Sequence, residues 1–315
     1  MVRIAMRFYI FSVMLIMCVT TPLITPAQSS ATTIAAIMSN DQPRYREAHH
    51  AFVTSIAAQG FKAPSTEIIL IAPNSDPLSW SAEVRKLNSS RPDLIVTYGA
   101  PASVAAVREA SGIPVVSVDV FSSEHPVKGV CGVSSRVSMT TLLKTLLGIR
   151  PYQRIGVLYS PRESGSLQQL DDIKKNAAKL DIAVLEGSVS SASALDTELN
   201  KLLDKCEAVV VTEGGLFGQQ FEHIISKFKT RKVPVASTMP GAAEKGAIVS
   251  LEISPQEQGY LAAEMAVRIL EGAKTEFLPL VRPHRIDLII NVRQAREMGI
   301  EVPPPVQYGA NRLIK

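Results

Sequence analysis

The chain has 315 residues, of which 46% are hydrophobic and 20% charged, and its formal net charge at pH 7 is +4. This length suits two domains, the hydrophobic share is enough to build buried cores, and the charged share is that of an ordinary soluble protein. The small positive surplus, with no dense cluster of Lys and Arg, excludes nucleic acid as an expected partner.

The N-terminal segment has the order of a secretory signal peptide. Two arginines precede an uncharged, mostly apolar run at residues 8–19, and small residues follow around Ala27. The apolar run is shorter than the roughly 20 residues that a membrane-spanning helix needs. We therefore expect residues 1–27 to be a signal peptide and the mature protein to be periplasmic, with an uncleaved anchor as the alternative. A lipid anchor on Cys18 is not expected, because the bulky Met17 precedes it.

Short apolar runs alternate with helical patterns through the first half of the mature chain. The nearly uncharged runs are typical of strands in a sheet that is buried on both faces. Gly60 and Gly112 mark the ends of two helices. Strands are predicted at residues 33–38, 67–72, 93–97 and 114–118, and helices at residues 43–59, 78–88 and 102–110.

The same alternation returns in the second half. Strands are predicted at residues 154–159, 182–187, 208–212, 233–237 and 248–252, and helices at residues 166–180, 194–205, 219–229 and 255–271. Strands that alternate with helices predict parallel sheets covered by helices, so we expect an α/β protein of two Rossmann-like lobes joined by a hinge. The predicted divisions are an N-terminal lobe at 28–120, a hinge crossover at 121–150, a C-terminal lobe at 151–275, and a crossover with the C-terminal tail at 276–315.

Candidate ligand-binding residues follow the predicted strands. Ligands of parallel α/β sheets bind beyond the carboxyl ends of the strands, where helix N-termini offer free N–H groups. Small, hydroxylated, acidic and aromatic residues stand at these positions, a mixture that suits a small polar ligand. Such residues also form ordinary turns and helix caps, and this alternative stays open. The candidates are Ser39, Asn40, Asp41, Tyr45, Tyr98, Gly99, Ala100, Pro101, Asp119, Phe121, Ser160, Glu163, Glu213, Gly214 and Thr238.

The run at residues 98–101 (YGAP) gives the clearest of these signals. Gly99 allows close approach of the backbone to a ligand, and Pro101 is suited to the start of a helix. We expect Tyr98 to contact the ligand, with a plain strand-to-helix turn as the alternative.

The cysteines and the catalytic motifs favour a protein without enzymatic chemistry. Cys131 and Cys206 each stand beside an apolar strand, so we expect two free buried thiols, with a disulfide as the alternative. The serine-hydrolase, P-loop and dinucleotide fingerprints are absent from the sequence, and residues 214–218 (GGLFG) have the wrong spacing to cradle a phosphate. The five histidines are scattered. We expect neither an enzyme nor a bound metal or cofactor.

Four stretches carry a resemblance that runs over most of the mature chain: residues 93–101 (DLIVTYGAP), 154–166 (RIGVLYSPRESGS), 233–238 (VPVAST) and 291–303 (NVRQAREMGIEVP). In this order they resemble the ABC-transporter substrate-binding proteins with the type I periplasmic binding fold, whose best-known members bind tryptophan and related amino acids. The resemblance implies a monomer that binds a small molecule between two lobes and delivers it to an ABC permease.

The chain departs from the pattern of that family in the loops of the cleft. Gly165 stands where the family has Asn in Glu-x-Asn-Ser, and Glu213 with Gly214 replaces an Asp-Asn pair. The loop at residues 119–132 is shortened. An aromatic content of 5% speaks against the stacked rings of a sugar site, so we expect an amino acid or another small carboxylate. A periplasmic sensor that signals to a membrane-bound partner remains the alternative function.

Overall fold

The computed structural model describes residues 31–74, 76–121 and 130–315. The predicted signal peptide and Cys18 lie outside these ranges. None of the helices within them combines the length and the apolar character that crossing a bilayer demands.

The described residues form strands and helices in alternation. The strands are β1 (Thr32–Met38), β2 (Thr66–Ile71), β3 (Leu94–Tyr98), β4 (Val115–Val120), β5 (Cys131–Ser134), β6 (Arg154–Tyr159), β7 (Ala183–Ser188), β8 (Ala208–Val211), β9 (Val235–Ser237), β10 (Val249–Ile253), β11 (Leu280–Val281), β12 (Ile286–Asn291) and β13 (Arg312–Ile314). The helices are α1 (Pro43–Ala58), α2 (Pro77–Ser90), α3 (Ala100–Glu109), α4 (Met139–Ile149), α5 (Ser164–Ala178), α6 (Ala192–Leu203), α7 (Gly215–Thr230), α8 (Pro255–Leu270), α9 (Val292–Glu297) and α10 (Pro304–Tyr308), with a 3₁₀ turn at Thr275–Phe277.

Two sheets form the cores of two lobes. The first has the strand order β11-β5-β4-β3-β1-β2, and all of its pairs are parallel. The second has the order β13-β12-β10-β9-β8-β6-β7 and is parallel except for the antiparallel pair of β10 and β12. In the first sheet Ile34 lies between Leu94 and Ile68 and is fully buried, as expected for a strand covered on both faces. The predicted fold class, an α/β protein of two mostly parallel sheets, is confirmed.

The chain passes between the lobes three times. It crosses after β5, after β10 and between β11 and β12. Helix α4, which the sequence analysis placed in the hinge, packs into the core of the second lobe, where Leu142 and Leu146 join Ile155. An amphipathic helix buries its apolar face in the nearest core, so the first crossing is confined to residues 135–138.

Helix α8 also lies elsewhere than its predicted lobe. Residues 151–275 were expected to form one lobe, but α8 packs on the first sheet, against α1. Its contact face is built from small residues such as Ala262 and Ala266, and at Gly259 a methyl group would collide with the backbone of Ala48. The small residues let the two helices approach closely, and this pattern is not visible in the strand-and-helix alternation that set the predicted boundary.

The two cysteines of the described chain lie in separate cores and are free. Cys131 belongs to the core of the first lobe and Cys206 to that of the second. Burial raises the pKa of each thiol to about 11. The prediction of two free, buried thiols is confirmed, and the alternative of a disulfide between them is wrong.

Candidate ligand-binding site

The strand order of each sheet creates a crevice at the carboxyl ends of its strands. The first sheet reverses direction between β1 and β3, and the second between β6 and β8. Loops diverge at such switch points and leave space for a ligand. The loops after β1, β3, β6 and β8 lie there and carry most of the candidate residues.

The two lobes touch each other across this cleft. A methyl group placed on Gly215, the first residue of α7, would lie 2.8 Å from Nδ2 of Asn40 in the opposite lobe. One on Gly218 would lie 3.3 Å from Oε1 of Gln42. The loop after β1 therefore rests directly on the glycine face of α7, which is the arrangement of a closed cleft.

Arg44 is a largely buried cation in the described part of the cleft, with 13% of its side chain exposed. It stands in the first turn of α1, its Nε lies 3.3 Å from Oδ2 of Asp119, and its NH2 donates to the hydroxyl of Tyr45 at 3.0 Å. Burial disfavours the charged guanidinium, but the carboxylate of Asp119, with Tyr45 and Glu213, raises its pKa. Arg44 therefore remains charged at every physiological pH.

Asp119 is the penultimate residue of β4; its backbone is left-handed, with φ +58°, and its side chain is 8% exposed. Its Oδ1 accepts a hydrogen bond from Nε2 of Gln258 at 3.3 Å, so α8 helps to hold it. The ion pair with Arg44 is close in distance but lacks hydrogen-bond geometry, since Nε of Arg44 and Oδ2 of Asp119 both lack a partner in the described chain.

Glu163 stabilises the start of α7 from the neighbouring loop. Both of its carboxylate oxygens lie 3.1 Å from the N–H of Gly215, which donates to them. An acid at a helix N-terminus interacts favourably with the helix dipole. Burial nevertheless raises the pKa of Glu163, and the N–H of Gly215 and the charge of Arg44 oppose that rise.

Glu213 faces the same space from the end of β8. Its backbone N–H donates to Oε1 of Gln169 at 2.9 Å, while no hydrogen bond to its carboxylate is present among the described residues. The pKa of Glu213 is raised to about 8, chiefly by burial; the charge of Arg44 opposes the rise, and the negative charges of Asp119 and Glu163 contribute to it. The carboxylate lies against Gly165, where a methyl group would be only 1.8 Å from Oε1.

Four buried polar atoms around this cleft lack hydrogen-bond partners within the described chain. They are Oδ1 of Asn40, Nε2 of Gln42, Nε of Arg44 and Oδ2 of Asp119. Buried polar groups are almost always hydrogen-bonded, and leaving one unpaired costs about 1–3 kcal/mol. Nε of Arg44 and Oδ2 of Asp119 face each other in the ion pair, whereas the atoms of Asn40 and Gln42 are left for polar groups of a ligand or for ordered waters.

A groove of about 920 Å³ lies between the two lobes and is lined by Asn40 but not by Gln42, Arg44 or Asp119. Its volume is within the range of small-molecule sites, roughly 300–1,000 Å³. Asn40, Ala100, Pro101, Ser160 and Glu163 line it, together with apolar side chains that include Trp80 and Leu216.

Several candidates lie beside the cleft rather than in it. Tyr98 is fully buried in the core of the first lobe, where its hydroxyl lies 3.1 Å from Nδ1 of His49. Ser39 is buried, and its hydroxyl accepts from the N–H of Ala102 at 3.0 Å. Phe121 packs into the core of the second lobe. Their direct contact with a ligand stays a prediction that this geometry does not favour.

The remaining candidates have local roles. Asp41 is exposed and forms an ion pair with Arg46. The hydroxyl of Thr238 accepts from Nε2 of Gln169 at 3.0 Å. Gly99 has φ +91°, and a side chain there would collide with the hydroxyl of Tyr45. Gly214 precedes α7 and leaves room for the carboxylate of Glu163.

Sequence reasoning missed Arg44, Gln42 and Gly165. Arg44 carried a usable signal, because a cation in the first turn of a helix opposes the dipole and indicates a partner elsewhere. Gln42 carried none, since its importance rests on contacts between distant parts of the chain. Gly165 was noted as a departure from the family pattern, but the sequence does not show that it leaves space for the carboxylate of Glu213.

Known proteins resemble the chain over most of its length. It is 24% identical over 262 residues to the tyrosine-binding protein of Clostridioides difficile, which covers 80% of this chain and 76% of the relative. It superposes with a TM-score of 0.84 and 22% identity on an ABC domain in complex with L-Trp from Streptococcus pneumoniae, covering 90% of this chain and 100% of that one.

A second solved structure shares the fold. It is the ligand-free, open structure of a substrate-binding protein with adhesive properties from Clostridium difficile, with a TM-score of 0.70, 24% identity, and coverage of 90% of this chain and 99% of that one. These likenesses establish the type I periplasmic binding fold. The family model for ABC transporter substrate binding proteins matches residues 33–314. The chain therefore belongs to the ABC transporter substrate-binding protein family, a family of solute-binding proteins rather than enzymes.

Proposed function

We propose that the protein is the exported solute-binding component of an ABC importer, and that it captures an amino acid or a small carboxylate by closure of its two lobes. The observation that carries the proposal is the meeting of Arg44 and Asp119 from the first lobe with Glu163 and Glu213 from the second. Beside them, buried polar atoms of Asn40 and Gln42 lack hydrogen-bond partners within the described chain. The predicted signal peptide supports a periplasmic location.

The relatives support the solute class. One of them is a tyrosine-binding protein, and a neighbour in structure holds L-Trp. An amino acid offers one positive and one negative group, and the described cleft holds charged side chains of both signs. The departures at Gly165 and Glu213 distinguish the contacts of this chain from the family pattern.

The mechanism follows from the position of the site between the lobes. A ligand that contacts both lobes binds the closed state better than the open one and shifts the population toward closure. The crossings at residues 135–138 and between β11 and β12 are short. They therefore permit the lobes to rotate relative to each other while holding them side by side. A permease then recognises the closed form.

A thermal-shift screen of the mature protein against the common L-amino acids and small carboxylates tests the proposal. A ligand present at about 100 times its Kd adds roughly 2.7 kcal/mol to the free energy of unfolding, which is a clear rise in Tm. X-ray scattering with and without the ligand found should show compaction. A panel without any shift contradicts the solute class, and a shift without compaction contradicts lobe closure.

Uptake distinguishes transport from the sensory alternative. Cells that lack the protein should lose high-affinity uptake of the identified ligand and regain it with the wild-type gene. Unchanged uptake, together with tight binding in vitro, contradicts the importer role.

A further inference from the structure

The two glycines at the start of α7 are not required by its backbone. Gly215 is the first residue of α7, and Gly218 lies almost one turn further on. Neither has a positive φ, so alanine could adopt the same conformation at both positions. Inside a helix, glycine is less favourable than every residue except proline. The reason for these glycines is therefore the space that they leave open.

That space is filled from the opposite lobe. A methyl group on Gly218 would lie 3.3 Å from Oε1 and 3.7 Å from Cδ of Gln42, and within the described chain no other atom outside α7 is closer than 4 Å to it. The three atoms nearest to a methyl group on Gly215 belong to Asn40 and Gln42, and the closest is Nδ2 of Asn40 at 2.8 Å. Both positions thus leave room for the two amide side chains of the loop after β1.

The side chain of Gln42 is committed to this contact. Gln42 is the N-cap residue of α1, a position where side chains often accept a hydrogen bond from their own helix, but it makes no such bond. Only 6% of the residue is exposed, and its Nε2 has no hydrogen-bond partner within the described chain. Burial of an unpaired amide is unfavourable, and it occurs here because the lobes meet at this residue.

Both sides of the contact are fixed within their own lobes. The loop after β1 is held at Ser39, whose N–H donates to the carbonyl oxygen of Tyr98 at 2.9 Å and whose own carbonyl oxygen accepts from Nε1 of Trp80 at 3.1 Å. On α7, Phe217 lies between the two glycines in sequence and is fully buried in a core of the second lobe. Neither backbone can retreat from a new side chain without disturbing these contacts.

We propose that Gly215 and Gly218 form the surface on which the first lobe closes, and that their lack of side chains sets how closely the lobes approach around a solute. They are positioning residues, because they act through Asn40 and Gln42. The groove between the lobes is lined by both Asn40 and Gly215, so its width depends on this contact. A side chain at either glycine therefore disfavours the closed form and leaves the open form unaffected. This inference rests on the proposed function, since it requires lobe closure.

The test measures closure and affinity on the full mature protein. The probes are the common L-amino acids together with lactate, succinate and citrate. Wild type should bind at least one of them in calorimetry and become more compact with it in X-ray scattering. Gly218→Leu should raise the Kd of that probe at least about tenfold, and at saturation its radius of gyration should stay near that of the ligand-free protein. Because leucine is the better helix former, the urea midpoint of the ligand-free variant should not fall.

Gln42→Ala distinguishes this contact from a general disturbance of the cleft. In the wild-type chain it should weaken binding, because the glycines lose the side chain that lies on them. In the Gly218→Leu chain it should strengthen binding by at least about threefold and restore compaction, because it removes the amide that the leucine meets. Gly309→Leu is the matched control: Gly309 is exposed, its φ is −76°, and a methyl group there meets no described atom closer than 3.6 Å. It should bind and compact as wild type does.

The outcomes separate this inference from the proposed function. If Gly218→Leu binds and compacts like wild type, or if its effect and that of Gln42→Ala simply add, the inference is overturned and the proposed function stands. If Gly218→Leu fails to fold, Gly215→Ala and Gly218→Ala decide: both should weaken binding, and Gly215→Ala, with the closer contact, should weaken it more. Wild-type binding without compaction, or no binding of any probe, overturns both.

Discussion

Gly165 is the position where one methyl group tests the site with least damage to the fold. It lies in the first turn of α5, where alanine is a better helix former by as much as roughly 1 kcal/mol. The backbone there has no positive φ, so alanine is not strained. The new methyl group would, however, stand 1.8 Å from Oε1 of Glu213 and 3.1 Å from Cβ of Phe121.

The expected effect follows from these distances. Non-bonded heavy atoms settle at about 3.5 Å, so the carboxylate of Glu213 must retreat by roughly 1.5 Å. Hydrogen bonds span only about 2.7–3.2 Å, so a displacement of that size breaks any hydrogen bond that the carboxylate of Glu213 makes to a ligand. Loss of a desolvated charged contact costs at least about 2 kcal/mol, so Gly165→Ala should raise Kd by roughly 30-fold or more. The free energy of unfolding of the ligand-free protein should stay within about 1 kcal/mol of wild type.

Calorimetry with the identified ligand and urea unfolding of the ligand-free protein measure the two quantities. Gly148→Ala is the matched control: it lies in α4, away from the cleft, and its methyl group would meet Val306 at 3.0 Å. It should bind as wild type does. In the Gly165→Ala background, Glu213→Asp should recover part of the affinity, because the shorter acid clears the methyl group. A Gly165→Ala variant that binds normally refutes the placement of Glu213.

Three further predictions concern buried groups. Tyr98→Ala should lower the free energy of unfolding by about 3–5 kcal/mol in urea titrations, since Tyr98 is fully buried; a variant as stable as wild type would place Tyr98 in the cleft after all. Arg44→Met should lower the free energy of unfolding by about 3–5 kcal/mol, because Asp119 is then buried without its ion-pair partner. Asp119→Asn in the same chain should restore most of the loss. If the single variant unfolds like wild type, the ion pair contributes nothing. Cys131 and Cys206 should resist iodoacetamide at pH 8 in the folded protein and react in urea, as their raised pKa values of about 11 imply; rapid labelling of the native protein would contradict their burial.

The regular part of the fold was accessible from the sequence because its strands are apolar on both faces. The runs at residues 33–38 and 154–159 coincide with β1 and β6 to within a residue, and each is followed by a helical repeat. Short elements were missed: β5 contains Gly132 at φ +145°, and β11 has two residues. Such short strands form because a longer neighbouring strand supplies their hydrogen bonds, so their own residues do not predict them.

The site was accessible only as far as strand ends locate it. The rule that ligands bind beyond parallel strands correctly directed attention to the loops after β1, β3, β6 and β8. It does not say which side chain at a strand end turns inward. Tyr98 is the last residue of β3, and the alternation along the strand carries its ring into the core toward His49. Arg44, by contrast, reaches the cleft from the first turn of α1.

The two departures from the family pattern at Gly165 and Glu213 are structurally coupled. Taken singly, a glycine in place of Asn removes a polar side chain, and a Glu in place of Asp lengthens an acid by one methylene. In the structure the longer acid occupies the space beside the glycine, so any side chain at Gly165 would collide with the carboxylate. The two changes are therefore one change: the polar group that this corner of the cleft presents is moved from the start of α5 to the end of β8, and it changes from a neutral amide to an acid that binds or releases a proton near neutral pH. Neither residue alone predicts which polar group this corner of the cleft presents, because the two are 48 positions apart in the chain and come into contact only in the folded protein.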